Sequence, residues 1–206
     1  MTTRPSALIV ALHGVGSSAL AMEPVVARLR TGLPSVAVIA LDAPHPFDQG
    51  GLGRQWFSIA GVTEANRAGR IATALPALWS RVDAHLAELH LDRSQLGLFG
   101  FSQGAMMALA AGLDERPPAV VAAIAGRLAV AGPLPTGTSP ALYIGGGSDD
   151  RIVPPQCARE AADRLRESGR KVTLSVVDGL EHAIAPSQLR EAIALFQQSF
   201  LSAAAA

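Results

Sequence analysis

Along most of this chain the apolar residues fall in two kinds of pattern. Residues 7–12, 36–41, 95–101, 119–125 and 141–145 are short runs that are apolar almost throughout, with no polar position in alternation, and 171–177 is a more mixed run of the same length class. A strand covered on both faces of a parallel sheet has this signature, because neither face needs a polar residue. Between the runs the apolar residues recur every three or four positions. Residues 64–90 carry Ile71, Leu75, Leu78, Val82 and Leu86 at that spacing, which predicts a long helix that Pro76 should kink or split. Shorter helices are expected after residue 18, with Pro24 in the first turn and Val25, Val26 and Leu29 facing inward, and over 154–168 and 186–201. One more follows residue 102, where Ala105, Ala108, Ala110 and Ala111 favour helix and Gly112 can stop it.

Strands and helices alternating in this way predict an α/β fold, a mostly parallel central sheet with helices on both faces. No internal repeat or linker divides the chain, so residues 1–206 are expected to form a single domain. The stretch between Gly112 and Tyr143 holds only one strand and a loop, which leaves no room for a cap domain and predicts an open groove. Residues 42–57, from Asp42 through two prolines and three glycines to Phe57, look too rich in Pro and Gly for helix or ladder; long ordered loops of this kind tend to carry function.

Composition narrows the function classes. Lys+Arg and Asp+Glu are each 17, so no net field draws the chain to nucleic acid or to an anionic membrane. One cysteine, Cys157, excludes an internal disulfide and a cysteine metal cluster, and it reads as a packing residue in a helix. No window reaches the length of a transmembrane span, and residues 1–12 lack the pattern of a secretory signal. A cytoplasmic protein without stable membrane insertion is the expectation.

The chemistry-bearing stretch is Gly100-Phe101-Ser102-Gln103-Gly104, set between an apolar strand and an apolar helix. Glycines two positions to either side let strand and helix approach closely enough to push the serine hydroxyl out at a sharp turn, the nucleophile elbow of the α/β-hydrolases. A serine hydroxyl needs a base and a group that orients the base, and in this fold they follow in the order acid, then histidine. His13, His45, His85 and His90 precede Ser102; only His182 follows it, in a glycine-containing loop after the run at 171–177. Asp114 and Asp163 read as solvated charges and Asp178 lies too near His182, which leaves Asp149 and Asp150 after the Tyr143 strand. Asp150 is preferred because it begins Asp-Arg-Ile-Val-Pro. The oxyanion hole would be formed by the N–H of Gln103 and that of Val15 in the loop after the first strand, which His13 would brace. Trp56 and Phe57 pack in the core or wall an acyl pocket, the pocket being favoured by Arg54 beside them in the long loop.

Taken together, the chain resembles the phospholipase/carboxylesterase family, which includes bacterial carboxylesterases and acyl-protein thioesterases. Leu12-His13-Gly14-Val15-Gly16, Asp42-Ala43-Pro44, Arg54-Gln55-Trp56-Phe57, the serine pentapeptide, Gly126, Asp150-Arg151-Ile152-Val153-Pro154 and Gly179-Leu180-Glu181-His182 run in family order over nearly the whole chain. The resemblance implies a cap-less α/β-hydrolase with a Ser102, Asp150, His182 triad, an oxyanion hole from Val15 and Gln103, and no cofactor or metal. It further implies hydrolysis of small-molecule carboxylic or thio-esters, and it is compatible with a homodimer. Ser58 stands where many members have Asp, and Ala125 where many have Ser; both bear on substrate choice. A serine carboxylesterase acting on small to medium acyl chains is the leading expectation, ahead of a thioesterase or lysophospholipase on the same site and of a non-catalytic binding protein on the same fold.

Overall fold

The computed structural model describes residues 4–204. Strand β1 (Ala7–Leu12) leads through a glycine-bearing loop into helix α1 (Glu23–Gly32), which has proline in its first turn, and then into β2 (Val36–Leu41). A hairpin of two residues a side, β3 (His45–Pro46) and β4 (Arg54–Gln55), precedes α2 (Glu64–Leu89). Then come β5 (Leu96–Phe101), α3 (Gln103–Ala111), β6 (Val120–Ile124), β7 (Ala141–Gly147), α4 (Pro155–Glu167), β8 (Val172–Val177) and α5 (Pro186–Ala204).

Six strands form one wholly parallel sheet in the order β2-β1-β5-β6-β7-β8. Each central strand divides its apolar residues between two cores. Leu8, Val10 and Leu12 of β1, with Leu96, Leu98, Val121, Ala123, Leu142 and Ile144, meet α2, α3 and α4 on one face. Ile9 and Ala11, with Phe99, Val120, Ala122, Ile124 and Tyr143, meet α1 and α5 on the other. That two-sided demand explains the missing polar alternation. No helix among the described residues is long and apolar enough to cross a membrane.

Two expectations are corrected. Helix α2 is not split at Pro76 but continues through it for 26 residues. Its start is fixed by a capping box, in which Thr63 and Asn66 exchange side-chain and backbone bonds, and its end by His90 in the left-handed conformation. Pro76 and Ala72 are both exposed, so the carbonyl that loses its donor is open to water. The second correction is that residues 42–57 do contain a ladder. Gly50 and Gly51, both at positive φ (87° and 81°), reverse the chain, and the β3–β4 pairing is only two residues long, short enough for Pro46 to take part. The hairpin is sewn to the loop after β1 by Gly16 N–H donating to Arg54 O (2.8 Å) and Arg54 N–H to Ser17 O (2.8 Å).

Candidate active site

Ser102 joins β5 to α3 with φ 54° and ψ −116°, a conformation that costs a non-glycine residue free energy and that the surrounding structure must impose. Its N–H donates to Ile124 O (2.9 Å), which pins the turn to β6. The flanking glycines are steric necessities: a Cβ on Gly100 would lie 2.4 Å from Gly104 O, and one on Gly104 would lie 2.2 Å from Leu12 O.

The C-terminal ends of β7 and β8 supply the other two groups. His182 Nε2 lies 2.9 Å from Ser102 Oγ, and His182 Nδ1 lies 2.7 Å from Asp150 Oδ2. Asp150 is buried, and its Oδ1 accepts the N–H groups of Ile152 (2.9 Å) and Val153 (2.8 Å), which holds Oδ2 toward the imidazole. An ionised carboxylate accepts only, so Nδ1 carries the proton and the Nε2 lone pair faces the serine hydroxyl. Phe101 stacks obliquely on the imidazole, centroids 5.0 Å apart. Asp149 is exposed and accepts from Ser148 Oγ. Asp114, expected to be a solvated charge, instead accepts from Trp79 Nε1 at 3.0 Å, while Asp163 lies on the surface of α4 beside Arg166.

His13 is fully buried, and burial holds its pKa below the ordinary histidine value. Its Nε2 accepts from Ala43 N–H (3.0 Å), so Nδ1 is the protonated nitrogen and donates to Gly14 O (2.6 Å). Asp42, 4.0 Å from Nε2 and half exposed, is no ion-pair partner for this neutral ring. In a trans peptide the carbonyl and the following N–H point opposite ways. Fixing Gly14 O toward His13 therefore turns the Val15 N–H to the other side, and Gly14 abuts the serine, its Cβ position lying 3.2 Å from Ser102 Cβ. The Gln103 N–H opens α3 and, like that of Val15, donates to no protein acceptor among the described residues.

Trp56 and Phe57 belong to the core, 1% and 6% exposed. Trp56 Nε1 donates to His13 O (2.9 Å), and the Gln103 carboxamide clamps this segment by accepting from Trp56 N–H (2.7 Å) and donating to Phe57 O (2.8 Å). They also form the floor of a cleft of about 940 Å³ between the hairpin and α2, lined further by Phe47, Asp48, Ser58 and Arg70; no triad candidate lines it. Sequence reasoning missed Asp48. Its carboxylate accepts from Ser58 Oγ (2.5 Å), from Gln55 Nε2 (2.5 Å) and from the N–H groups of Ile59 and Ala60, and the Ser58 hydroxyl leads these contacts in holding its pKa below the usual carboxylate value. A carboxylate six positions before Arg54, in a loop without predicted pairing, offered no signal. Among the described residues no group of three or more His, Cys, Asp and Glu side chains is arranged to hold a metal ion.

The chain matches the model of the phospholipase/carboxylesterase family over residues 2–200. The esterase YpfH of Escherichia coli is 31% identical over 182 residues, 86% of this chain and 76% of that protein. Esterase PE8 superposes with a TM-score of 0.85 at 28% identity, covering 94% of this chain and 93% of its own. The Bacillus cereus carboxylesterase, at 16% identity, TM-score 0.80 and coverages of 94% and 88%, shares the fold.

Proposed function

The chain belongs to the phospholipase/carboxylesterase family of ester hydrolases, and from that premise we propose that it is a serine carboxylesterase in which Ser102, His182 and Asp150 form the catalytic triad. The observation that carries this reading is the unbroken hydrogen-bonded chain from Ser102 Oγ through both nitrogens of His182 to a buried Asp150 carboxylate. Ser102 Oγ attacks the ester carbonyl while His182 Nε2 takes its proton. The tetrahedral oxyanion is stabilised by the Val15 and Gln103 N–H groups, aimed before the reaction begins and so requiring little reorganisation. The imidazolium, stabilised by Asp150, gives its proton to the departing alcohol, and water attacks the acyl-enzyme by the same steps in reverse. No cofactor takes part.

Trp56 and Phe57, with Phe47, floor the cleft that receives the apolar part of a small to medium-chain ester. A thioester or lysophospholipid would meet the same nucleophile, with its acyl chain against the same Trp56, Phe57 and Phe47, and this is the second reading. The whole chain acts as one cytoplasmic domain, alone or as a homodimer. The reading is tested with Ser102→Ala: turnover of p-nitrophenyl butyrate and labelling by a fluorophosphonate both disappear while the circular dichroism spectrum is unchanged. Labelling of the variant at the wild-type rate would remove Ser102 from the mechanism.

A further inference from the structure

Resting on the triad proposed above, we infer that Gln188 is a positioning residue: its buried carboxamide ties the loop that carries His182 to the strand that carries Asp150. Gln188 lies in the first turn of α5 and is 0% exposed. Its Oε1 accepts from Ala185 N–H (3.0 Å), the residue at the downstream end of the His182 loop. Its Nε2 donates to Gly146 O (2.9 Å) near the end of β7, four residues before Asp150, with Ser175 O of β8 at 3.5 Å. One side chain thus spans acid strand and base loop.

Glycines make the approach possible. A Cβ on Gly145 would lie 3.1 Å from Gln188 Nε2, and one on Gly147 would lie 2.0 Å from Leu180 O. Upstream of His182 the backbone does the fastening, since Asp149 N–H donates to Leu180 O (3.0 Å) and Ser148 N–H to Val177 O (2.9 Å). Downstream, from Ala183 to Ala185, the hydrogen-bonded tie to β7 among the described residues is the Gln188 carboxamide. Loosening it lets the imidazole drift from Asp150 and from Ser102 together, and misplacement on the ångström scale costs rate heavily. The charged groups bearing on His182 are Asp150 in contact and, at the exposed rim, Asp149, Asp178 and Glu181; Glu191 of α5 is engaged by Tyr143 Oη at 2.9 Å.

The test uses the full chain with Gln188→Met and Gln188→Glu, active sites being counted by fluorophosphonate titration. The methionine fills the space without donor or acceptor. Its kcat per titrated site is expected to fall about 10- to 100-fold with KM within about twofold of wild type. The glutamate variant, when protonated, keeps one donor for Gly146 O and one acceptor for Ala185 N–H, so its kcat relative to wild type should be higher at about pH 5.5 than at about pH 8.5. Wild-type kcat per titrated site in Gln188→Met, with only Tm lowered, would overturn the proposal. If that variant does not fold, an equal ratio at both ends of the pH range in Gln188→Glu overturns it. Ser102→Ala retaining turnover rejects the triad instead, whatever Gln188 does.

Discussion

Asp149 and Asp150 are neighbours in sequence with opposite surroundings, one exposed beside Ser148 and the other buried with both oxygens engaged. Asp150→Asn keeps the shape but removes the charge that stabilises the imidazolium and lets the amide favour the wrong tautomer, so kcat should drop by about three to four orders of magnitude. Asp149→Asn should change it less than about twofold. Steady-state kinetics on the two variants decides, and the reverse pattern would make Asp149 the orienter. His13 supplies a second prediction at this scale, one of stability. Burial depresses its pKa below the ordinary value of 6.5, so the unfolded chain binds the proton more readily. The stabilising contribution is complete above that value and is lost as pH falls through the lower, folded-state pKa. The Tm of wild type should therefore decline more steeply between about pH 7 and pH 5 than that of His13→Gln, which has no proton to gain. Parallel slopes would show that His13 titrates alike in both states.

Helix α2 shows what an element-scale pattern can and cannot announce. Its length is legible from Ile71, Leu75, Leu78, Val82 and Leu86, whereas its continuity through Pro76 is not, because continuity depends on Pro76 facing solvent and on caps at both ends. Pro76→Ala restores an N–H to Ala72 O at an exposed position. The helix should gain about 1–3 kcal/mol, partly offset by a freer unfolded chain, and Tm should rise with kcat unchanged. A fall in Tm would mean that the proline ring packs where it stands exposed. The same distinction separates the parts of the site. Ser102 and His182, which lie in hydrogen-bond contact, stand out by residue type and order, whereas order alone leaves Asp149 and Asp150 open and the Asp-Arg-Ile-Val-Pro stretch favours Asp150, the one in contact with His182. The hairpin β3–β4 could not be placed in this way, since two ladder pairs leave no periodicity. Nor could the role of Trp56, which the two readings of its sequence left open: its Nε1 contact with His13 O joins residues 43 positions apart, and no local pattern encodes that.

At the scale of the whole molecule, the parallel sheet brings the ends of β1, β5, β7 and β8 to one edge, with the β3–β4 hairpin joined to the loop after β1. Between α3 and β7 the described residues form β6 and a loop but no helix, and Leu52 in the hairpin stands fully exposed. In the proposed site an acyl chain would lie in the cleft lined by Trp56 and Phe57, with no cap domain above it. Each methylene placed against that floor contributes up to about 0.8 kcal/mol, and each one beyond its end stays in water and contributes nothing. We therefore expect kcat/KM for p-nitrophenyl esters to rise with acyl length and to level off or fall by about eight carbons. No jump in rate should accompany micelle formation, because the proposed site has no cap domain to open. A parallel series of acyl-CoA thioesters should follow the same profile at the same Ser102. A rise that continues through palmitoyl esters, or a preference for palmitoyl thioesters, would require a long covered tunnel and would move the assignment to an acyl thioesterase.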